Sequence, residues 1–279
     1  MRSYFKAILL TLSLLLLSSC SSTIQQTKQN FKWPRDSFVK YETYVYRQTC
    51  VPVDPDNMKS KCYERQQGYT GSGAIIANGF DGSYVLTAAH MCNRQADLDM
   101  LQSLEPKDSE ESENVSFFAK HYVRDLDDFT YNAEIVSYNS NLDACVVFVW
   151  GLFKDPLKIA KKRPKIGSRT YNIAAPAGFF KKNLIPLFEG FYIGKWDKYS
   201  SVYTIPAIGG SSGSPILNKK GELIGLIYAR HNRFHHITLS PEFKKLKKFI
   251  FDSINSHSKE RARSQELDLR RSIIIKFNK

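Results

Sequence analysis

Gly210-Ser211-Ser212-Gly213-Ser214-Pro215 is a turn of small residues, and alone it specifies nothing more. Two upstream segments change its reading. Thr87-Ala88-Ala89-His90 closes an apolar run, Tyr84-Val85-Leu86. Asn141-Leu142-Asp143 opens another, Ala144-Cys145-Val146-Val147-Phe148-Val149. Together they offer a base, an orienting carboxylate and a hydroxyl, in the chain order His, Asp, Ser. A serine hydroxyl is a poor nucleophile at neutral pH, so a neutral imidazole must take its proton as attack proceeds. A carboxylate on the other ring nitrogen holds the tautomer and steadies the imidazolium. The developing oxyanion needs preorganised N–H donors, and Gly210 and Gly213 let the backbone turn sharply and a substrate carbonyl approach.

The order and the local sequences resemble the chymotrypsin-like (trypsin-like) serine peptidases. Gly71-Ser72-Gly73-Ala74-Ile75-Ile76 precedes His90 as the glycine-rich strand does in that family. Ala207-Ile208-Gly209-Gly210 precedes Ser212 in the usual way, and Gly221-Glu222-Leu223-Ile224-Gly225-Leu226 follows as the hairpin bordering the primary specificity pocket. The likeness spans residues 68–250. It implies Ser212 as nucleophile, His90 as general base, Asp143 as orienting acid, and the Gly210 and Ser212 amides as oxyanion hole. Asp127 and Asp128 compete with Asp143 for the carboxylate role.

Ser211 stands where trypsin-type zymogens carry the Asp that pairs with a freed N-terminus, so that switch is missing. The pattern is closest to glutamyl-endopeptidase-like and HtrA-like branches, without a PDZ region after the protease segment. Glu-specific relatives place a His in the strand after Gly225; here it reads Leu226-Ile227-Tyr228-Ala229. Pro206, Ile227, Tyr228 and Ala229 are expected to line an apolar pocket, which favours medium apolar or aromatic side chains before the cut. Arg230 and the nearby histidines, turned inward, would select acidic residues instead. His231, His235 and His236 lack a convincing partner set for a metal, and the chemistry requires no cofactor or metal. Two other functions use the same scaffold: a catalytically silent binding lipoprotein and a triad acyl hydrolase.

The 279 residues, 42% hydrophobic, suffice for one large domain or two small ones. The start reads as a signal. Arg2 and Lys6 precede an apolar stretch, Ala7 to Leu17, too short for a comfortable membrane span. Leu17-Ser18-Ser19-Cys20 looks like a bacterial lipobox, which implies cleavage before Cys20 and lipidation of it. Ser21 is not the Asp that retains lipoproteins at the inner membrane, so an exported, outer-membrane-anchored protein is favoured. Residues 21–30 are polar and read as a tether. A formal charge of +13 on a tethered body would draw it toward anionic lipid or other polyanions, but basic residues recur all along the chain, so the charge reads as general composition, and no nucleic-acid motif is present. The acidic stretch Glu105 to Asn114 reads as a solvated loop.

An exported chain can keep disulfides. Cys50 and Cys62 flank a turn-rich segment and suit a local bridge. Cys92 and Cys145 each lie two residues beyond His90 and Asp143, near one another if those two touch, but bonding depends on geometry. Strands are expected at 43–48, 72–77, 84–89, 115–123, 133–138 and 144–149. A second series is expected at 169–174, 187–195, 202–205, 215–217, 223–229 and 236–239. This is an all-β expectation: two packed six-stranded antiparallel barrels, at 38–153 and 164–239, and a C-terminal helix. Ser240-Pro241-Glu242 signals the helix start, with Phe243, Leu246, Phe249 and Ile250 as its apolar stripe over 241–256. The domains run 1–19 signal, 20–37 tether, 38–256 peptidase and 257–279 basic extension. For the extension, a further helix with an add-on strand and a membrane-surface contact both stay open.

Overall fold

The computed structural model describes residues 33–54, 59–104 and 115–277. Cys20, the lipobox and the acidic stretch at 105–114 lie outside the described residues. Continuous apolar runs make the strands at the heart of the first half. β3 (Gly82–Thr87) is buried along its whole length, and β6 (Ala144–Trp150) is buried up to its last residue. A strand buried on both faces shows no alternation. Around them β1 (Phe38–Asp54), β2 (Lys59–Asn78), β4 (Val115–Arg124) and β5 (Thr130–Asn139) complete a closed antiparallel barrel in the order β1-β2-β3-β6-β5-β4. β1 and β2 run far beyond the expected strands, pairing from Phe38↔Ala74 to Asp54↔Lys59. The expected Cys50–Cys62 disulfide is present, joining residues directly opposite in that register. Two short helices follow β3: α1 (Ala89–Cys92) and α2 (Gln95–Ser103), the second unanticipated from sequence.

The second half is a seven-stranded antiparallel sheet rather than a second six-stranded barrel. It comprises β7 (Arg169–Ile173), β8 (Leu187–Lys195), β9 (Ser200–Tyr203), β10 (Pro215–Leu217), β11 (Leu223–Leu226), β12 (Ala229–Arg230) and β13 (Thr238–Pro241). Their order is β11-β10-β7-β8-β9-β13-β12. The single strand expected over 223–229 is interrupted at Ile227-Tyr228, because Ile227 still bonds the turn ahead of β10 while Tyr228 and Ala229 pair with Leu239 of β13. The hydrophobic core is continuous between the halves: Val85, Leu86 and Val147 of the barrel share one cluster with Ile173, Leu217 and Leu226.

One helix, α3 (Phe243–Phe277), ends the chain. Glu242, not Ser240, caps it: Glu242 Oε2 accepts from the amides of Lys244 (2.9 Å) and Lys245 (3.3 Å). Ser240 is spent elsewhere, since β13 extends to Pro241 and Ser240 Oγ accepts the Leu226 amide (3.1 Å). Phe243, Leu246 and Ile250 are buried and Phe249 packs beside them, so the apolar stripe forms as expected. The helix does not stop near residue 256. Its continuation lies along the barrel, where Ser258 and His257 reach Tyr84 (2.9 and 3.1 Å) and Arg261 pairs with Asp81 at 2.6 Å. Among the described residues no helix is long and apolar enough to cross a membrane.

Candidate active site

Strand register brings His90 and Asp143 together. β3 and β6 pair from Gly82↔Trp150 to Thr87↔Cys145. The chain leaves β3 through α1, carrying His90, at the end where it enters β6 past Asp143. The His90 amide donates to Asp143 Oδ1 (2.9 Å) and His90 Nδ1 donates to Oδ2 (2.8 Å). With Nδ1–H given to the carboxylate, Nε2 of the neutral ring is left as the acceptor. Asp143 sits at φ 46°, a left-handed conformation that Asp tolerates better than most residues. Its turn is tied by the Leu142 amide to Asn139 Oδ1 (3.0 Å) and the Asp143 amide to the Ser140 carbonyl (3.3 Å). The competing carboxylates are engaged elsewhere. Lys154 hydrogen-bonds Asp127 (2.5 Å) and holds its carboxyl below the usual range, and Asp128 pairs with Arg124 (3.1 Å).

Cys92 and Cys145 form a second disulfide, buried in the barrel. It links the segment just after His90 to the segment just after Asp143. Beside it, the Thr43 hydroxyl donates to the Met91 carbonyl (2.7 Å). Having spent its proton, Thr43 Oγ1 can only accept from His121 Nδ1 (3.1 Å), which fixes that tautomer. Burial, and then the nearby Arg94 charge, push the His121 imidazole down to about 4.

The serine turn hangs on backbone and on two small polar residues that sequence reading passed over. Ser72, fully buried in β2, is the hub. Its amide donates to the Ser212 carbonyl (2.7 Å) and its hydroxyl to the Gly210 carbonyl (2.8 Å), while Oγ accepts the Ala175 amide (3.0 Å). Asn172, buried in β7, donates to Ser214 Oγ (2.8 Å) and the Pro215 carbonyl (2.9 Å). The only sequence hint of Ser72 was a polar residue held between Gly71 and Gly73. Asn172, in Arg169-Thr170-Tyr171-Asn172-Ile173, had none.

Two glycines are obligatory here. At Gly213 (φ 84°) a Cβ would collide with the Ser72 carbonyl and the Thr87 hydroxyl, so the residue after Ser212 lies against the segment leading to His90. At Gly210 (φ 90°) a Cβ would strike the Ala175 carbonyl. Ser211 is buried and accepts the Ile208 amide through Oγ (3.3 Å), with no carboxylate in its place. Among the described residues, the Gly210 and Ser212 amides have no protein acceptor. They are available as donors, which is what an oxyanion site requires. No hydrogen bond joins the Ser212 hydroxyl to His90 among the described residues; contacts of this kind commonly tighten when substrate binds.

Of the expected pocket residues, Ile227 borders the same turn. Ile227 exchanges backbone hydrogen bonds with it, accepting from Gly213 (2.7 Å) and donating to Ser214 (2.9 Å). Its buried side chain packs in a cluster with Ala207, next to the half-buried Pro206. Tyr228 places its hydroxyl on Ser200 Oγ (2.9 Å). Burial, with smaller contributions from the charges of Asp197 and Asp143, raises its phenol above the ordinary value. Ala229 pairs with Leu239, and the Arg230 guanidinium reaches His235 Nδ1 (2.6 Å).

Residues 71–226 match the family model described as a trypsin-like peptidase domain. That stretch covers more than half the chain and contains His90, Asp143 and Ser212. Among solved structures, the Rv3671c protease from M. tuberculosis in its active form is similar, with 16% identity and a TM-score of 0.51. The likeness covers 77% of this chain and 79% of that one. At that identity it speaks for the fold alone. No curated protein matches the sequence.

Proposed function

The chain belongs to the trypsin-like peptidase family, serine endopeptidases acting on protein or peptide, and from that premise we propose that His90, Asp143 and Ser212 are its triad. The observation that carries the reading is the two-point contact of Asp143 with His90, beside a glycine-shaped turn whose Gly210 and Ser212 amides are free to donate. His90 Nε2 takes the Ser212 proton as Oγ attacks the scissile carbonyl carbon. The oxyanion is held by the Gly210 and Ser212 amides. His90 then passes the proton to the leaving amine as the C–N bond breaks, leaving an acyl-enzyme. Water, deprotonated by His90, hydrolyses the ester and restores Ser212. Asp143 stays ionised throughout and keeps Nδ1–H in place.

The pocket walls at Pro206, Ile227, Tyr228 and Ala229 are largely apolar, and burying an unpaired substrate charge against them is costly. The preferred residue before the cut is therefore a medium apolar or aromatic one. The leader ending in Leu17-Ser18-Ser19-Cys20 supports export and lipid anchoring at Cys20, with the outer membrane favoured. A fluorophosphonate probe tests the nucleophile. Labelling at Ser212 that disappears in Ser212→Ala and His90→Ala is the expected result, and labelling independent of His90 overturns the triad. A peptide set varied only at the residue before the cut tests the pocket, with Leu or Phe cleaved faster than Glu or Lys.

A further inference from the structure

Away from the site, the segment joining the two halves forms a ridge between two cavities of about 580 and 480 Å³. Lys161, Lys162 and Arg163 line both. The first cavity continues to Lys219 and Lys220 on the β10–β11 turn, and the second to the start of α3 at Lys244, Lys247 and Phe251. The ridge is built, not loose. The Ala160 amide donates to the Leu223 carbonyl (3.0 Å), the Leu223 amide to the Lys158 carbonyl (2.8 Å), and Lys247 Nζ to the Ala160 carbonyl (3.1 Å). Among the described residues Lys161, Lys162, Arg163, Lys219, Lys220 and Lys244 have no carboxylate partner. The one acid lining either cavity is Glu222, which already accepts from Asn218 Nδ2 (2.7 Å). Phe251 stands 48% exposed at the rim.

The described chain begins beside this face. Trp33 packs edge-on against Tyr171 of β7, with ring centroids 4.8 Å apart. Two residues earlier in the same strand, and so on the same side of the sheet, Arg169 lines the first cavity. Trp33, the first described residue, thus packs two residues along β7 from Arg169, which lines the first cavity with its own charge paired to Glu189 (2.8 Å).

We propose that this ridge is a membrane-docking face, which seats phosphate headgroups of an anionic lipid bilayer with Phe251 at the headgroup level. It rests on the reading that Cys20 anchors the chain, since an anchor whose stalk joins the body here would hold this face toward the bilayer. Six unneutralised cations on one surface gain from a negative surface potential, and that gain fades with salt.

The test uses the full chain carrying Cys20→Ala, so that no acyl chain contributes, with vesicles of phosphatidylcholine or of a phosphatidylglycerol mixture. An uncleaved leader carries Arg2 and Lys6 and adds its own preference for anionic vesicles, but that share is the same in every variant, so the change a variant makes in the preference reads the basic face. The expected result is partition onto anionic vesicles at least about tenfold stronger than onto neutral ones. Lys161→Glu/Lys162→Glu/Arg163→Glu should remove most of the difference, while probe labelling of Ser212 stays unchanged and certifies the fold. An equal reversal on barrel strands β2 and β4, Lys61→Glu/Arg65→Glu/Lys120→Glu, should leave it intact. Equal partition onto both lipids, equal loss in both triple variants, or tighter binding to a short RNA or DNA duplex overturns the proposal. Detergent partitioning of the unmutated chain reports lipidation separately, so failure of the anchor and failure of the face are distinguishable.

Discussion

The barrel and the seven-stranded sheet hold their shares of the site by different means. His90 follows β3 and Asp143 precedes β6, neighbouring strands of a closed barrel, and the Cys92–Cys145 disulfide ties the segments that follow the two residues. Ser212 sits on a turn ahead of β10 with no covalent tie. That turn is shaped by Gly210 and Gly213 and held across the boundary by Ser72, a barrel residue. The proposed base and its carboxylate are joined by two hydrogen bonds within one half. The hydroxyl is positioned by hydrogen bonds that depend on the two halves staying docked. Orientation of the pair is thus a property of the barrel, and approach of the serine is a property of the interface.

The largest effect should come from Ser212→Ala, which lowers peptide hydrolysis by at least about 10⁴-fold while leaving the melting curve nearly unchanged. If the proposed triad acts as a unit, His90→Ala should cost a comparable factor and the double variant little more. Losses that multiply in the double variant would separate the two residues that the contrast treats as one machine.

Gly213→Ala should come next, as a stability loss. The new methyl strains a left-handed residue and collides with Ser72 and Thr87, at a cost of about 3–5 kcal/mol. Denaturant unfolding measures it, and a change below about 1 kcal/mol would show that the turn yields easily.

Removing the barrel's covalent tie with Cys92→Ala/Cys145→Ala opens a span of 53 residues. The chain-entropy model gives up to about 4 kcal/mol for such a loop. The site-specific expectation is that kcat falls more than KM rises, because the His90–Asp143 pair loosens while the pocket lies on the other half. A pure rise in KM would contradict the division of labour.

Ser72→Ala probes the interface side. It strips the Gly210 carbonyl of a buried donor and the Ala175 amide of its acceptor, at about 2–3 kcal/mol. Labelling by the probe should slow, and restoring a hydroxyl with Ser72→Thr should recover part of the rate only if the β-branch fits the strand.

The smallest effect is the pH response of His121. Its folded value, about 4, lies below the ordinary one, so the unfolded chain binds the proton first as pH falls. Stability should therefore be full above about pH 6.5, decline down to about pH 4 by on the order of 2 kcal/mol, and level off below. His121→Asn should flatten that segment of the curve. An unchanged slope would remove His121 as its source.

Much of this architecture was legible in the residues. The apolar runs ending at His90 and beginning at Asp143 are one-dimensional signals, because strands buried on both faces need uninterrupted apolar side chains. The small residues from Gly210 to Pro215 are another, since only glycine tolerates φ near 90° with backbone pressed against it. The Cys50–Cys62 bridge was readable because a hairpin places such residues opposite each other locally.

The remainder needed three dimensions. The meeting of Cys92 with Cys145, 53 residues apart, follows from the Thr87↔Cys145 register, and register is set by packing of the whole barrel. Ser72 and Asn172 owe their roles to partners more than 40 residues away, and a serine or an amide carries no mark of who will accept its proton. The second half has seven strands because the run over 223–229 changes partner: up to Ile227 it bonds β10 and the turn ahead of it, and from Tyr228 it bonds β13. The helix kept going past residue 256 because Tyr84, Asp81, Phe148 and Trp150 on the barrel offered His257, Ser258 and Arg261 a surface to lie on. Sequence by itself determined the kinds of element and the chemistry available, since both depend on neighbours along the chain. Tertiary structure alone decided which distant groups touch, because hydrogen bonds and burial are settled only when the whole chain competes for them.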